Sequence, residues 1–254
     1  MRRDAAIFVS YRFRTVTPLV GLLFTLTTFF YVSKLVRPEA LGSQGRYFAF
    51  VVLGVITASL LTSALGSAQI IRTELMAGNF ERIVVSPLGP VWGVIAVAAF
   101  PICYAITLSG ITVGAATLLY GIPIHAGGIG PAVGVGLLGS LCLSCIGLLF
   151  VAGMLAFKSS LAVTWVVAGL SLIGGAYFPV RLFPGWIRWV ADIQPFTPMV
   201  DLLRHFLIGI RMPEPLWLEW VKLIGFAAVL APVAALLLWL AIDLSRRRGT
   251  LLEY

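Results

Sequence analysis

The sequence predicts an all-α, polytopic membrane protein with six transmembrane helices, and three observations carry that prediction. Hydrophobic residues make up 60% of the 254 residues and charged residues only 11%, where a soluble domain carries about a quarter charged. Mean hydropathy is +1.02. Six apolar runs, most of them near the roughly 20 residues that a crossing helix needs, are separated by short polar or proline-rich stretches.

Residues 1–16 hold Arg2, Arg3, Arg12 and Arg14, with Ile7, Phe8 and Tyr11 at helical spacing. A helix lying in the cytoplasmic interface fits that pattern, and a plain basic leader is the alternative. No small-residue cleavage site follows the first apolar run, so that run is expected to be retained as span one, about Thr17 to Ser33. Span two, Tyr47 to Ile71, carries no charge but a scatter of hydroxyls and Gln69. Span three covers Val91 to about Leu119, with Pro101 inside it and a Gly110-x-x-x-Gly114 pair suited to close helix contact. A turn rich in glycine and proline, holding His125, leads into span four, Ala132 to Phe157. Span five, Leu161 to Phe178, finishes in Gly174-Gly175-Ala176-Tyr177-Phe178-Pro179.

Residues 179–221 do not read as one crossing. Two amphipathic pieces, Pro184–Ile193 and Pro198–Ile210, are broken by Pro195 and Pro198, and each is too short to traverse the bilayer. Backbone at membrane depth must satisfy its own hydrogen bonds, so re-entrant helices packed on the bundle are expected. Span six, Leu223 to Ile242, ends at Asp243 and the cluster Arg246-Arg247-Arg248. Basic residues at both ends place the termini in the cytoplasm by the positive-inside rule.

Between spans two and three lies a stretch too polar for lipid, within 72–90. Asn79 can cap a helix with Glu81 in its first turn, where a negative charge suits the helix dipole. Pro87 stops that helix after about two turns, since proline lacks the donor N–H and clashes with the turn before it. The product is a stub carrying Glu81 and Arg82 between two spans, able to pass a push from a soluble partner to both.

The charge pattern excludes several kinds of chemistry. The net charge of +8 comes from arginines at the ends of apolar runs, with no basic stretch interleaved with aromatics, so nucleic acid is not the expected partner. Cys142 and Cys145 form a C-x-x-C inside an apolar run. A redox or zinc pair needs an accessible thiolate and further ligands, so these read as packing residues and no metal is expected. Asp, Glu, Lys and Arg are missing from the spans, which argues against a proton-driven carrier. No G-x-x-x-x-G-K-[ST] loop occurs, so any ATPase must be a separate chain. Asp201, Arg204 and His205, at i, i+3 and i+4, share one helix face. They read as a mutually neutralised cluster; a relay, a headgroup site or an enzyme centre is the sharper reading. Trp186, Trp189, Trp217 and Trp220 resemble an interfacial belt.

The stretch Gly78-Asn79-Phe80-Glu81-Arg82-Ile83-Val84-Val85-Ser86-Pro87-Leu88 resembles the cytoplasmic signature of the permeases of type-two ATP-binding-cassette exporters. Gly174 to Pro179, followed by Pro184, Trp186, Pro195, Asp201 and Arg204, is similar to the segment after the fifth span in the drug, lipo-oligosaccharide and polysaccharide exporters of that family. The resemblance implies a half-transporter, one transmembrane domain over 1–254, that pairs with a second copy or a sister permease in the plasma (inner) membrane and recruits separate ATPase subunits, which bind the ATP and Mg. It implies that Asn79, Phe80, Glu81, Arg82, Ser86 and Pro87 form the coupling helix. Spans two and five then line the route, with Thr62, Ser63, Gln69 and Trp165 as path candidates. Gly174, Gly175, Phe178, Pro179, Asp201 and Arg204 fall to an outer gate. The cargo implied is a drug, a lipid or a lipid-linked glycan. An ion-coupled secondary carrier, a membrane-embedded enzyme using Asp201 and His205, and a non-transporting scaffold are the competing readings.

Overall fold

In a computed structural model of the protein, the described residues are 12–35, 44–76, 90–157, 163–212 and 214–247. Among them every regular element is helical: α1 (Arg12–Leu35), α2 (Gln44–Met76), α3 (Pro90–Tyr120), α4 (Ile129–Phe157), α5 (Val163–Ile173), α6 (Gly185–Asp192), α7 (Phe196–Ile208) and α8 (Leu216–Arg247). Short 3-10 turns precede α4 and α6, at Ala126–Gly128 and Val180–Leu182.

Four helices are long and apolar enough to cross a membrane: Gly45–Gly66 in α2, Ile95–Tyr120 in α3, Ala126–Gly153 leading through α4, and Leu216–Leu244 in α8. The apolar part of α1 is shorter, Val20–Lys34. The central helix is α2, with 72% of its crossing window buried against 17% for α8. It packs on α3 and α4, while α8 lies along α4. One core gathers Leu26, Phe48, Val52, Leu61, Leu143 and Met199. A second unites Ile71 near the end of α2 with Val151 and Ala152 near the end of α4 and Leu238 and Ile242 near the end of α8. Outward, Ile129, Val133, Leu137 and Leu141 form an exposed stripe at four-residue spacing on α4, and Ile224, Val229, Leu236 and Trp239 are exposed on α8. Apolar surface of that extent needs lipid or a partner chain to cover it.

The structure moves several expected boundaries. α1 begins at Arg12, so residues 12–16 of the expected interfacial helix continue into the first apolar helix; residues 1–11 lie outside the described residues. α2 continues helical to Met76, into the segment assigned to the coupling loop. α5 ends at Ile173 rather than Phe178. Gly175 adopts φ +82°, and the amides of Gly174, Gly175 and Ala176 close back onto Leu170, Leu172 and Ser171 carbonyls, a left-handed helix stop that only glycine makes without strain. α8 starts at Leu216, so 216–221 belong to the last long helix and not to the re-entrant segment.

The two short amphipathic pieces expected between spans five and six are two short helices, α6 and α7. α7 is buried along most of its length, including Phe196, Met199, Val200 and Leu202. Two glycines let it lie that close. A Cβ on Gly139 would sit 2.3 Å from the Met199 sulfur, and one on Gly128 would sit 1.9 Å from the Phe206 carbonyl oxygen. His125 N–H donates to the Leu207 carbonyl at 2.9 Å, pinning the α3–α4 connection to the end of α7.

Candidate functional site

α7 packs against α2, α4 and α8 while α6 meets α5, and Arg204 ties α7 to α2 and to the residues that follow α5. Its side chain is 2% exposed. A guanidinium offers five N–H donors in a fixed plane, and here they meet a cradle of backbone carbonyls. Nε and Nη2 donate to Phe50 O of α2 at 3.2 and 3.0 Å. Nη2 also donates to Ala176 O at 2.8 Å, and Nη1 to Gly175 O at 2.9 Å. The guanidinium carbon stands 3.3 Å from the centre of the Phe50 ring, a desolvated cation–π contact. Asp201 contributes a more distant carboxylate, Oδ1 lying 3.9 Å from Nη1.

This cradle depends on Gly54. A Cβ there would fall 1.8 Å from the Ala176 carbonyl oxygen and 2.8 Å from Arg204 Nη2. Gly54→Ala should therefore push the α5 terminus off α2 and lower stability by about 1–3 kcal/mol or more, measured as thermal unfolding of the purified protein in detergent.

Burial lowers the Arg204 guanidinium to about 9, with Asp201 opposing the shift, so it stays charged at neutral pH. Burial raises the Asp201 carboxyl, while Arg204 and then Lys222 pull it down. The expected mutual neutralisation is thus corrected in its details. Arg204 is held chiefly by carbonyls. His205 points elsewhere, its Nδ1 lying 3.2 Å from Ile210 O beyond the end of α7.

Around the cradle, aromatic side chains fasten the same end. Phe30, Phe48 and Tyr120 pack with centroids 4.9 to 5.4 Å apart, and the Tyr120 hydroxyl is 2.6 Å from Thr27 Oγ1. Phe29 stacks on Tyr177 at 6.0 Å. On the other side of α7, a cavity of about 210 Å³ opens between α6, α7 and the start of α8. Sequence reasoning missed this cavity. The available signal was Glu214, Glu219 and Lys222, three charges within nine residues at the lip of an apolar run.

The other expected site residues scatter. Gly174 is buried where a Cβ would meet the Phe196 ring at 2.4 Å, while Phe178 is exposed and Pro179 half-buried. These two do not join the Arg204 cradle; Gly175 does, through its carbonyl. Thr62 is exposed on α2 and turns its hydroxyl back onto Ala58 O at 2.8 Å; Ser63 is half-buried beside it. Trp165 stands 78% exposed near the start of α5. Gln69 is on α2, but its side chain lies outside the described residues, as do Asn79, Phe80, Glu81, Arg82, Ser86 and Pro87 altogether. Cys142 and Cys145 are buried, unpaired thiols, and Cys142 Sγ donates to Leu223 O at 3.6 Å, which is packing of α4 against α8.

No curated protein sequence matches this one. A family model for the ABC-2 type transporter matches residues 3–208, which runs from the N-terminal basic segment through α1 to α5 and ends on Ile208, the last residue of α7. That match takes in most of the chain, the Arg204 cradle included, and the protein belongs to the ABC-2 type transporter family as a membrane permease component.

Proposed function

We propose that this chain is one half of an exporter for an amphipathic or lipid-like cargo, driven by ATPase subunits on separate chains. The observation that carries the reading is the ABC-2 family match over residues 3–208. The stretch from Tyr47 to Ile71 of the central helix α2 carries no charge and supports it, because it leaves no carboxylate inside that span to hold a driving proton. In this reading α1 and α5 join the four long helices as crossings, giving six spans with both termini in the cytoplasm of the plasma (inner) membrane. The two halves are copies of this chain or sister permeases. The Asn79–Pro87 stub receives the motor, which binds ATP and Mg, and α6 and α7 close the outer end.

Closure of the ATPase pair on ATP moves the stub. α2 continues helically to Met76, so a displacement at the stub enters the central helix directly. α2 then carries it to the cradle at its other end, where Arg204 of α7 donates both to Phe50 O and to Gly175 O just after α5. Two-state rearrangement of that kind needs a rigid element biased at one end, and α2 is the most buried helix available.

The test is reconstitution of the permease in proteoliposomes with and without its ATPase subunit, using a fluorescent lipid and a glycan-lipid as cargo. Transport should appear only with ATPase, ATP and Mg together, and with ion gradients collapsed. Movement driven by a proton or sodium gradient without ATP would replace this reading with a secondary carrier.

A further inference from the structure

The cavity beside α7 is not needed to couple a motor to the bundle, yet its lining is selective in charge. Four carboxylates face it, from Asp192, Asp201, Glu214 and Glu219. Lys222, Arg181 and Arg188 supply the opposite sign. Several of these groups are already engaged. Lys222 Nζ donates to Glu214 and lies 3.9 Å from Asp192. Asp201 leans toward Arg204. Arg188 Nη2 holds the carbonyls of Arg181 and Phe183 at 3.0 and 2.9 Å.

Glu219 is different. It is only 3% exposed, it lines the cavity from the first turn of α8, and its Oε2 is buried without a hydrogen-bond partner. A carboxylate accepts several hydrogen bonds, and a buried charged acceptor left unmet is costly enough that native proteins supply a donor. Phe196 to Leu203 and the first turns of α8 hold this wall in place, so an occupant of the cavity that carries a donor would meet this oxygen.

We propose that the cavity binds a zwitterionic phospho-amine headgroup, its primary ammonium received by Glu219 and its phosphate by Arg181 and Arg188. An ammonium carries three N–H donors and one positive charge, matching the unmet carboxylate oxygen on this wall. A divalent cation fits poorly, because the Lys222 ammonium already stands among the carboxylates. A trimethylammonium group has no N–H to donate. The phosphate end is favoured because two arginines line the same cavity and guanidinium groups suit phosphate. A lipid is the favoured source. Trp186 and Trp189 on α6 and Trp217 on α8, the two helices that flank the cavity together with α7, are 75%, 58% and 66% exposed, and exposed tryptophans of this kind mark headgroup depth.

This site rests on the chain's residence in a membrane and not on cargo or motor, so its failure leaves the permease reading intact. The permease is purified alone in micelles, and thermal protection is titrated with dioleoyl phosphatidylethanolamine, with dioleoyl phosphatidylcholine, and with soluble O-phosphoethanolamine. Wild type should respond to the ethanolamine lipid at about tenfold lower concentration than to the choline lipid, the scale expected for one charge-assisted donor set. Glu219→Gln should erase most of that ratio. Protection by soluble O-phosphoethanolamine in choline micelles supports the same headgroup chemistry and assigns its source to a free zwitterion. Equal response of wild type to the two lipids overturns the proposal whatever the variant does, and so does a Glu219→Gln protein that keeps the full preference. Glu214 and Glu219 sharing a proton in an unliganded cavity would give that equal response.

Discussion

Replacing Arg204 by Met should unfasten one whole end of the bundle. The side chain carries four hydrogen bonds to three carbonyls, Phe50 O on α2 and Gly175 O and Ala176 O beyond the last turn of α5. Methionine of similar reach leaves those acceptors and the Asp201 carboxylate uncompensated in a water-poor site. Breaking one partner out of a buried charged set costs about 3–5 kcal/mol, and removal of the stack on Phe50 adds to that. Arg204→Lys should recover only part of the loss, since one ammonium cannot span Phe50, Gly175 and Ala176 as a planar fork does. Thermal unfolding in detergent reads the total. Maleimide labelling of Cys142 reads the place, because that thiol is buried against Leu223 near the same end and should become reactive as α7 and α8 loosen. A Met variant with wild-type stability and a protected Cys142 would mean the cradle is ornamental.

The sequence made the membrane class and the order of helices legible because hydropathy is a property of each run by itself. It also flagged Asp201 and Arg204, because an i, i+3 pair of charges beside an apolar stretch is visible locally. What Arg204 binds was not legible. Its partners are backbone carbonyls of Phe50, Gly175 and Ala176, up to 154 residues away, and carbonyls carry no letter in a sequence. Gly54 and Gly128 are close-approach positions for a similar reason: the atoms that forbid a side chain belong to Ala176 and Phe206.

Two boundary errors have a common cause. Ala176, Tyr177 and Phe178 are apolar enough to extend span five on paper, yet Gly174-Gly175 ends the helix first. Conversely, the charges of Glu219 and Lys222 leave 216–221 in the segment expected to be re-entrant, although the last long helix already begins at Leu216. Hydropathy sums side chains, while helix ends are set by backbone geometry and by where a charge finds a partner or a cavity.

Glu81→Ala combined with Arg82→Ala should abolish cargo-stimulated ATP turnover in the assembled transporter while the isolated permease unfolds at the wild-type temperature. The two effects separate because of where the charges sit. Glu81 and Arg82 stand between two apolar runs in a stretch too polar for lipid, and surface changes of this kind stay within about 0.5 kcal/mol. In the proposed mechanism these charges act at the contact with a soluble motor, where complementary pairs set register and encounter rate more than raw affinity. Coupled turnover should fall to the rate of the ATPase without permease, and the residual association of the two should lose its salt dependence, as expected once a screened charge pair is gone. Arg204→Met offers the mirror case: impaired folding of the end that holds the cradle, with the proposed coupling stub untouched in sequence. A permease that lacks both stub charges but still transports at the wild-type rate would remove the stub from the mechanism and leave the long α2 helix without a driver.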